Sequence, residues 1–183
     1  MRLKLLFVAS ALVLTFYLGE AFGDRGLGSR IGVASSSPDR RTKVVILLRH
    51  AEKANDDPVD PKLTKAGHAR AQHLARLLER VKVDHLITSE LKRTRQTAEP
   101  LRKSKGLKLD FEHEAPNVIA AVNALPPGST TVVVHHSHAV QDILRGLGVD
   151  AAVAKAVDPE VFDHLFILTL HPDIETRLVD IMY

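Results

Sequence analysis

The sequence predicts a three-layer α/β/α domain with a mainly parallel sheet. Apolar runs of strand length alternate along the chain with segments of helical periodicity, as is typical of α/β proteins. Two of the runs, "KVVILL" and "TTVVV", are continuously apolar, which indicates strands buried on both faces. Parallel sheets of this kind bind ligands beyond the carboxyl ends of their strands, so the residues that follow each run are the candidates for a functional site.

The first half of the domain contains two predicted strands and two predicted helices. A strand over "KVVILL" leads into the polar loop "NDDPVDPK". Thr64 is a candidate N-cap for a helix that runs to about Val81, with its leucines on one stripe. "DHLITS" predicts a second strand, and another helix begins near Leu91. Pro100 indicates that this helix stops or kinks there.

The second half continues the alternation and ends in strands. "LKLDFE" predicts a strand at a sheet edge, and "NVIAAVNAL" predicts a helix that "PPGS" ends. The strand "TTVVVHH" and the helix "AVQDILRGLG" follow. "HLFILTL" and "TRLVDIMY" predict two closing strands, and we expect Phe162 and Phe166 to pack in the core.

Composition narrows the possible functions. The chain has 183 residues, enough for one domain with a substantial core, and a formal charge of +3 from many bases and many acids. This mild basicity suits an anionic substrate and lacks the clustered footprint of a nucleic-acid-binding protein. The absence of cysteine excludes thiol chemistry, disulfides and cysteine-based zinc sites.

The N-terminus has the layout of a signal peptide. Arg2 and Lys4 precede the apolar run "LLFVASALVLTFYL", and the small residues of "AFG" end at Gly23. The run is short for a membrane span, so residues 1–23 predict export to the periplasm or secretion, with an uncleaved anchor as the alternative. Residues 24–42, rich in Gly, Ser and Arg, predict a flexible linker, and residues 43–183 form the predicted domain.

Charged and titratable side chains follow the predicted strands. "VVILL" runs directly into Arg49 and His50, and "TVVV" runs into "HHSH" at residues 135–138. A third strand leads into "SELKRTRQTA", which contains Arg93. If these strands are neighbours, two imidazoles and two guanidiniums can surround one phosphate-like dianion. An imidazole can also act as a nucleophile and carry a covalent intermediate.

Four motifs in this order resemble those of the histidine phosphatase superfamily, the phosphoglycerate mutase-like proteins. They are "RHAEK" for Arg-His-Gly, "LTKAGHARA" with Arg70 in the place of Gln, "SELKRTRQTA" for Ser-x-Leu-x-Arg-Ala-x-Gln-Thr-Ala, and "HHSH" for Gly-His-Ser-Asn. Their order and spacing agree with the family pattern across residues 43–142. The resemblance implies a phosphoglycerate mutase-like fold.

The resemblance also implies roles for four residues. His50 corresponds to the nucleophile that becomes phosphohistidine, and Arg49 and Arg93 to the arginines that bind the phosphoryl oxygens. His136 corresponds to the second histidine, which hydrogen-bonds the phosphoryl group; His135 is the alternative, and alignment to the valine run favours His136. No metal or other cofactor is implied, since the guanidiniums supply the positive charge.

Several positions depart from the family pattern. Ala51 replaces a glycine, and His135 and His138 replace the Gly and Asn that flank the second histidine. The general acid is open among Glu52, Glu112 and Glu114, of which we favour Glu114. "HHSH" can also be interpreted as a metal cluster, although adjacent residues on a strand point to opposite faces.

The resulting functional hypothesis is an exported, metal-independent phosphatase that hydrolyses a small phosphomonoester through a phosphohistidine. One alternative is a phosphatase of phosphohistidine or other phosphoproteins, and another is a phosphate-binding protein that has lost turnover. A mutase is less favoured, because export would separate it from glycolytic intermediates. No nucleic-acid partner is expected, and membrane association is expected only with an uncleaved leader. The oligomeric state is open.

Overall fold

The computed structural model of the chain describes residues 41–155 and 161–183. The predicted leader, residues 1–23, lies outside the described residues, as does the predicted linker up to residue 40. Within the described part, no helix combines the length and the apolar character needed to cross a bilayer. The first strand begins at Lys43.

The sheet has six strands in the order β3-β2-β4-β1-β5-β6. The first four in this order are parallel, β5 is antiparallel to β1, and β6 is antiparallel to β5. The prediction of a mainly parallel sheet is therefore confirmed. The bounds are β1 Lys43–Arg49, β2 His85–Thr88, β3 Asp110–Phe111, β4 Thr130–His135, β5 His164–His171 and β6 Ile174–Met182.

Five helices are present among the described residues, four of them predicted from sequence. They are α1 Lys65–Leu77, α2 Lys92–Lys105, α3 Ala115–Ala124, α4 Ser137–Gly146 and the short α5 Ala151–Lys155, which was not predicted. The helices α1 and α2 pack against each other, and α3 packs against α4.

The side chains of the central strand β1 enter two hydrophobic cores, one on each face of the sheet, and each core is covered by a layer of helices. Val45 and Leu47 point into the core beneath α3 and α4, whereas Ile46 and Leu48 point into the core beneath α1 and α2. All four side chains are almost completely buried. A strand covered on both faces needs apolar residues at every position, which is why "VVILL" shows no alternation. The three-layer α/β/α prediction is confirmed.

Two helix boundaries differ from prediction. Helix α1 begins as predicted, with Thr64 as the N-cap that accepts a hydrogen bond from the Gly67 N–H. The helix ends at Leu77 instead of near Val81, and the Leu77 side chain is exposed. Sequence analysis predicted that α2 stops or kinks at Pro100; the helix continues through Pro100 to Lys105, so the stop was wrong. Burial of Ala98 and Leu101 on either side of the proline favours helix over the intrinsic penalty.

The start of α1 contacts the loop that follows β1 at close range. Thr64 donates its backbone N–H to the Glu52 carbonyl at 2.8 Å. A Cβ added at Gly67 would lie 2.3 Å from the same carbonyl oxygen, closer than any real side chain approaches. Gly67 is therefore required for close approach of the helix to the loop, two residues beyond His50.

We predict that Gly67→Ala lowers the free energy of unfolding by about 1–3 kcal/mol, as overpacking does in a tight contact. Alanine normally stabilises a helix relative to glycine, so the sign of the effect distinguishes the clash from helix propensity. Urea unfolding of this variant beside His68→Ala, an exposed position one residue along the same helix, provides the measurement. An unchanged or increased stability of Gly67→Ala would contradict the contact.

Candidate active site

Three neighbouring parallel strands end at the same edge of the sheet. In the order β2-β4-β1 they deliver Ser89, His136 and the pair Arg49–His50. The N-terminal turn of α2, which follows β2, adds Arg93. The side chains that the sequence predicts as functional are thereby brought to one place.

The imidazole of His50 is buried, with 4% of its surface exposed. Its Nδ1 lies 2.8 Å from the carbonyl oxygen of Ala51. Because a carbonyl can only accept, Nδ1 carries the proton in the neutral ring and Nε2 keeps its lone pair. Burial, assisted by the charges of Arg49 and Arg93, lowers the pKa of His50 to about 4, against the opposing effect of the Ala51 hydrogen bond. The ring is therefore an uncharged potential nucleophile at neutral pH.

The backbone on both sides of this ring is held in place. The His50 N–H donates to the His135 carbonyl of β4 at 2.9 Å. The Ala51 N–H donates to the Thr97 hydroxyl of α2, also at 2.9 Å. Ala51 itself is fully buried and clusters with Leu63 and Ala71, so the methyl group that replaces the family glycine is packed.

The His136 ring lies beside His50, edge-on, with the centroids 5.7 Å apart. Its Nε2 is 2.9 Å from the Ser89 hydroxyl, which is 2.8 Å from the Thr94 hydroxyl. These buried hydroxyls fix the orientation of the ring. The pKa of His136 is lowered to about 3, mainly by burial and to a smaller extent by the charges of neighbouring groups, which include Arg93. The His136 ring is therefore also neutral at neutral pH.

Two guanidiniums provide the positive charge of the site. Arg49 ends β1, and its Cζ lies 3.9 Å from the centre of the Phe162 ring. Arg93 lies in the first turn of α2 and donates from Nη1 to the Val59 carbonyl at 3.3 Å. Both cations depress the pKa of His50, and Arg93 also depresses that of His136. Arg93 therefore lies within electrostatic range of both rings.

The other histidines of "HHSH" face in different directions. His135 is fully buried, and its Nε2 donates to the Glu112 carbonyl at 3.1 Å. His138 is exposed and stacks on His136 with a centroid distance of 5.7 Å. Among residues 41–155 and 161–183, no three His, Asp or Glu side chains are grouped in a way that could hold a metal ion.

Phe162 is the site residue that sequence reasoning missed. We expected it in the core with Phe166, which is indeed buried, but Phe162 is only half-buried and stacks on Arg49. Its ring centroid is 6.1 Å from that of His50. The cause is the antiparallel pairing of β5 with β1, which brings the residues before β5 beside the end of β1. No local pattern around Phe162 indicates that pairing.

The three candidate acids have different surroundings. Glu52 forms a bidentate ion pair with Arg70, with Oε1 2.7 Å from Nη2, and this contact lowers the pKa of the carboxyl. Glu112 contributes its carbonyl to His135. Glu114 precedes α3 with its side chain 70% exposed, and its charge acts on the buried His135. Glu52 is thus held ionised, whereas the Glu114 carboxyl is accessible to solvent.

Comparison with protein families gives one match. Residues 45–115 match the model of the histidine phosphatase superfamily, branch 1. This range includes the strand that ends in Arg49 and the helix that carries Arg93. Over this range, which is less than half of the chain, the sequence is similar to the histidine phosphatase superfamily. No curated protein matches the chain in sequence.

Solved structures of histidine phosphatases share the fold. A protein of Agrobacterium tumefaciens named as a phosphohistidine phosphatase, SixA, is 23% identical, with a TM-score of 0.62 over 76% of this chain and 97% of its own. A protein histidine phosphatase SixA complexed with tungstate is 19% identical, with a TM-score of 0.62 over 76% and 96%. A mycobacterial glucosyl-3-phosphoglycerate phosphatase is 16% identical, with a TM-score of 0.61 over 75% and 97%.

The buried rings of this histidine phosphatase fold predict acid sensitivity. The pKa of His50 falls from 6.5 when unfolded to about 4 when folded, so the unfolded chain binds more protons between these values. The free energy of unfolding should therefore decrease as the pH is lowered through this window. For His50 alone, linkage gives a loss of about 1.5 kcal/mol between pH 6.5 and roughly pH 5.

Urea unfolding across this pH range measures the effect. The His50→Gln variant should lose less stability than the wild type on acidification, whereas His68→Gln, a change at an exposed histidine of α1, should follow the wild type. The slope with pH is the diagnostic quantity, because it does not depend on the absolute stability of each variant. Equal slopes for wild type and His50→Gln would contradict a buried neutral ring.

Proposed function

We propose that this protein is a phosphatase that hydrolyses a phosphomonoester through a phosphohistidine at His50. The observation that carries the proposal is the state of the His50 ring. It is buried and neutral, its Nδ1–H is committed to the Ala51 carbonyl, and two guanidiniums lie within electrostatic range. A neutral imidazole with one free nitrogen beside two fixed cations is suited to attack a phosphoryl dianion.

The reaction follows from these groups in two displacements. Nε2 of His50 attacks phosphorus in line, and the bond to the leaving oxygen breaks while Arg49 and Arg93 bind the non-bridging oxygens. The leaving oxygen takes a proton from a general acid and departs as an alcohol. Water then attacks the phosphohistidine and gives a proton to the conjugate base of that acid, the P–N bond breaks, and inorganic phosphate and neutral His50 are released. His136 hydrogen-bonds the phosphoryl group in both steps.

Complexes of similar folds support phosphate as the group bound. The mycobacterial glucosyl-3-phosphoglycerate phosphatase has a structure with inorganic phosphate, and SixA has one with tungstate, an oxyanion of the same shape and charge. We infer that guanidinium charge replaces a metal ion here, so turnover should survive EDTA. The apolar leader of residues 1–23 supports export, which favours a periplasmic or extracellular phosphate ester as substrate.

We predict that His50→Ala abolishes hydrolysis of p-nitrophenyl phosphate. Arg49→Ala and Arg93→Ala should each lower kcat/KM on the order of 10²–10³, the effect of removing one preorganised charge. Arg95→Ala serves as the matched control, because Arg95 is an exposed arginine two residues along the same helix. Turnover by His50→Ala at the wild-type rate would disprove the assignment, as would the absence of acid-labile labelling of His50 in an active enzyme. Phosphate binding without turnover in the wild type would instead identify a binding protein.

The general acid can be identified by varying the leaving group. We expect Glu114→Gln to lower the rate on an alkyl phosphate on the order of 10² and to leave p-nitrophenyl phosphate almost unaffected, since p-nitrophenolate departs without a proton. Glu112→Gln is the matched control in the same segment. Equal losses on both substrates, or a selective loss in Glu112→Gln only, would reject Glu114 as the acid.

A further inference from the structure

A basic groove of about 870 Å³ runs along helix α2, the helix that also carries Arg93. We use the term basic groove for the surface lined by Lys62, Lys92, Arg95, Gln96, Glu99, Arg102, Lys108, Leu109 and Phe111. Five of these side chains are cationic and one is acidic. The groove is much larger than a phosphate ion needs, and its volume falls in the range of sites for whole ligands.

Most of the positive charge in the basic groove is uncompensated. Glu99 is paired with Arg102, with Oε2 2.7 Å from Nε, and Lys92 is 3.7 Å from Asp60. Lys62, Arg95 and Lys108 have no carboxylate within ion-pair distance in the part of the chain that the structure describes, and all three are exposed. Such a field attracts a ligand with several negative charges.

Helix α2 links the basic groove to the catalytic residues. Its first turn presents Lys92 to the groove and Arg93 to the site, and its inward side carries Thr94 and Thr97, which support His136 and Ala51. From Lys92 to Arg102 the helix extends for about 15 Å at 1.5 Å per residue. A ligand whose phosphoryl group occupies the site can therefore continue along this helix.

The far wall of the basic groove is formed at the sheet edge. β3 pairs only with β2 among the described strands, and Phe111 in β3 is 47% exposed. The Arg95 guanidinium lies 5.9 Å from the centre of the Phe111 ring. An open strand edge can pair with an extended peptide, and an exposed ring can anchor one of its side chains.

We propose that the basic groove binds an extended acidic peptide segment, flanking the phosphorylated residue of a protein substrate. The length of the cationic surface favours a chain with several spaced charges over a compact anion. About five extended residues at 3.3 Å each span the same 15 Å. The open edge of β3 favours a peptide over other linear polyanions, because it offers backbone hydrogen bonds. The substrate part of the inference rests on the proposed phosphatase function; the binding part does not.

Binding is tested first, without turnover. A fluorescein-labelled hexaglutamate peptide should bind the full chain at low ionic strength, and the charge reversals Arg95→Glu and Lys108→Glu together should weaken binding about tenfold, the sum of a few modest ion pairs. The control double variant Arg80→Glu with Arg177→Glu changes the charge equally at exposed positions outside the groove and should bind as the wild type does. Equal weakening in both double variants would overturn the proposal, as would tighter binding of tripolyphosphate or an oligothymidylate than of the peptide.

Turnover then separates the two proposals. For the wild type, phosphopeptides with Glu and Asp flanking the phosphorylated residue should have a higher kcat/KM than phosphopeptides in which Gln and Asn replace those flanking residues. Only the Arg95→Glu, Lys108→Glu double variant should lose this preference. Hydrolysis of p-nitrophenyl phosphate should be unchanged in both double variants. Activity on p-nitrophenyl phosphate without a preference for acidic flanks overturns the peptide site and leaves the phosphatase intact. If the protein binds the peptide, the groove variant weakens that binding, and no phosphatase activity is found, the peptide site is supported and the proposed phosphatase function is rejected.

Discussion

Burial of an uncharged imidazole at the end of β1 is the constraint on which the remaining site chemistry depends. Water stabilises an imidazolium more than a neutral ring, so removing the water favours the neutral form, and the nearby guanidiniums act in the same direction. The Ala51 carbonyl then selects the tautomer, because it accepts a hydrogen bond from Nδ1–H and so leaves Nε2 with its lone pair. Burial and a single local hydrogen bond thus determine both the charge and the reactive nitrogen of His50.

The order of strands explains how the other groups reach this ring. β1 lies between β4 and β5, so β4 places His136 on one side and the residues before antiparallel β5 place Phe162 on the other. β2 lies next to β4 and leads through Ser89 into α2, which contributes Arg93. Each neighbour pairs with β4 or β1 by backbone hydrogen bonds, so the register of the sheet sets the relative positions of the strand ends from which these side chains extend.

The sequence predicted features that are encoded locally and missed those that depend on pairing between distant segments. Continuous apolar runs identified β1 and β4, and the Thr64 cap located the start of α1, because each follows from neighbouring residues. The path of α2 through Pro100 depends on burial of the helix against the sheet, which local propensity does not include. Phe162 reaches Arg49 only through the antiparallel pairing of β5 with β1, and Arg70 pairs with Glu52 across eighteen residues.

The ion pair between Glu52 and Arg70 has an electrostatic consequence for the site. Glu52 is two residues from His50, and a free carboxylate there would raise the pKa of the imidazole and repel a phosphoryl dianion. Arg70 binds this carboxylate through two nitrogens and also donates to the Tyr183 carbonyl, so the negative charge is balanced where it arises. Arginine in the place of the glutamine that the family motif carries supplies the compensating charge that an amide lacks. The charge of Glu52 therefore does not offset the lowering of the His50 pKa by Arg49 and Arg93, and the cations of the basic groove extend the positive field along α2.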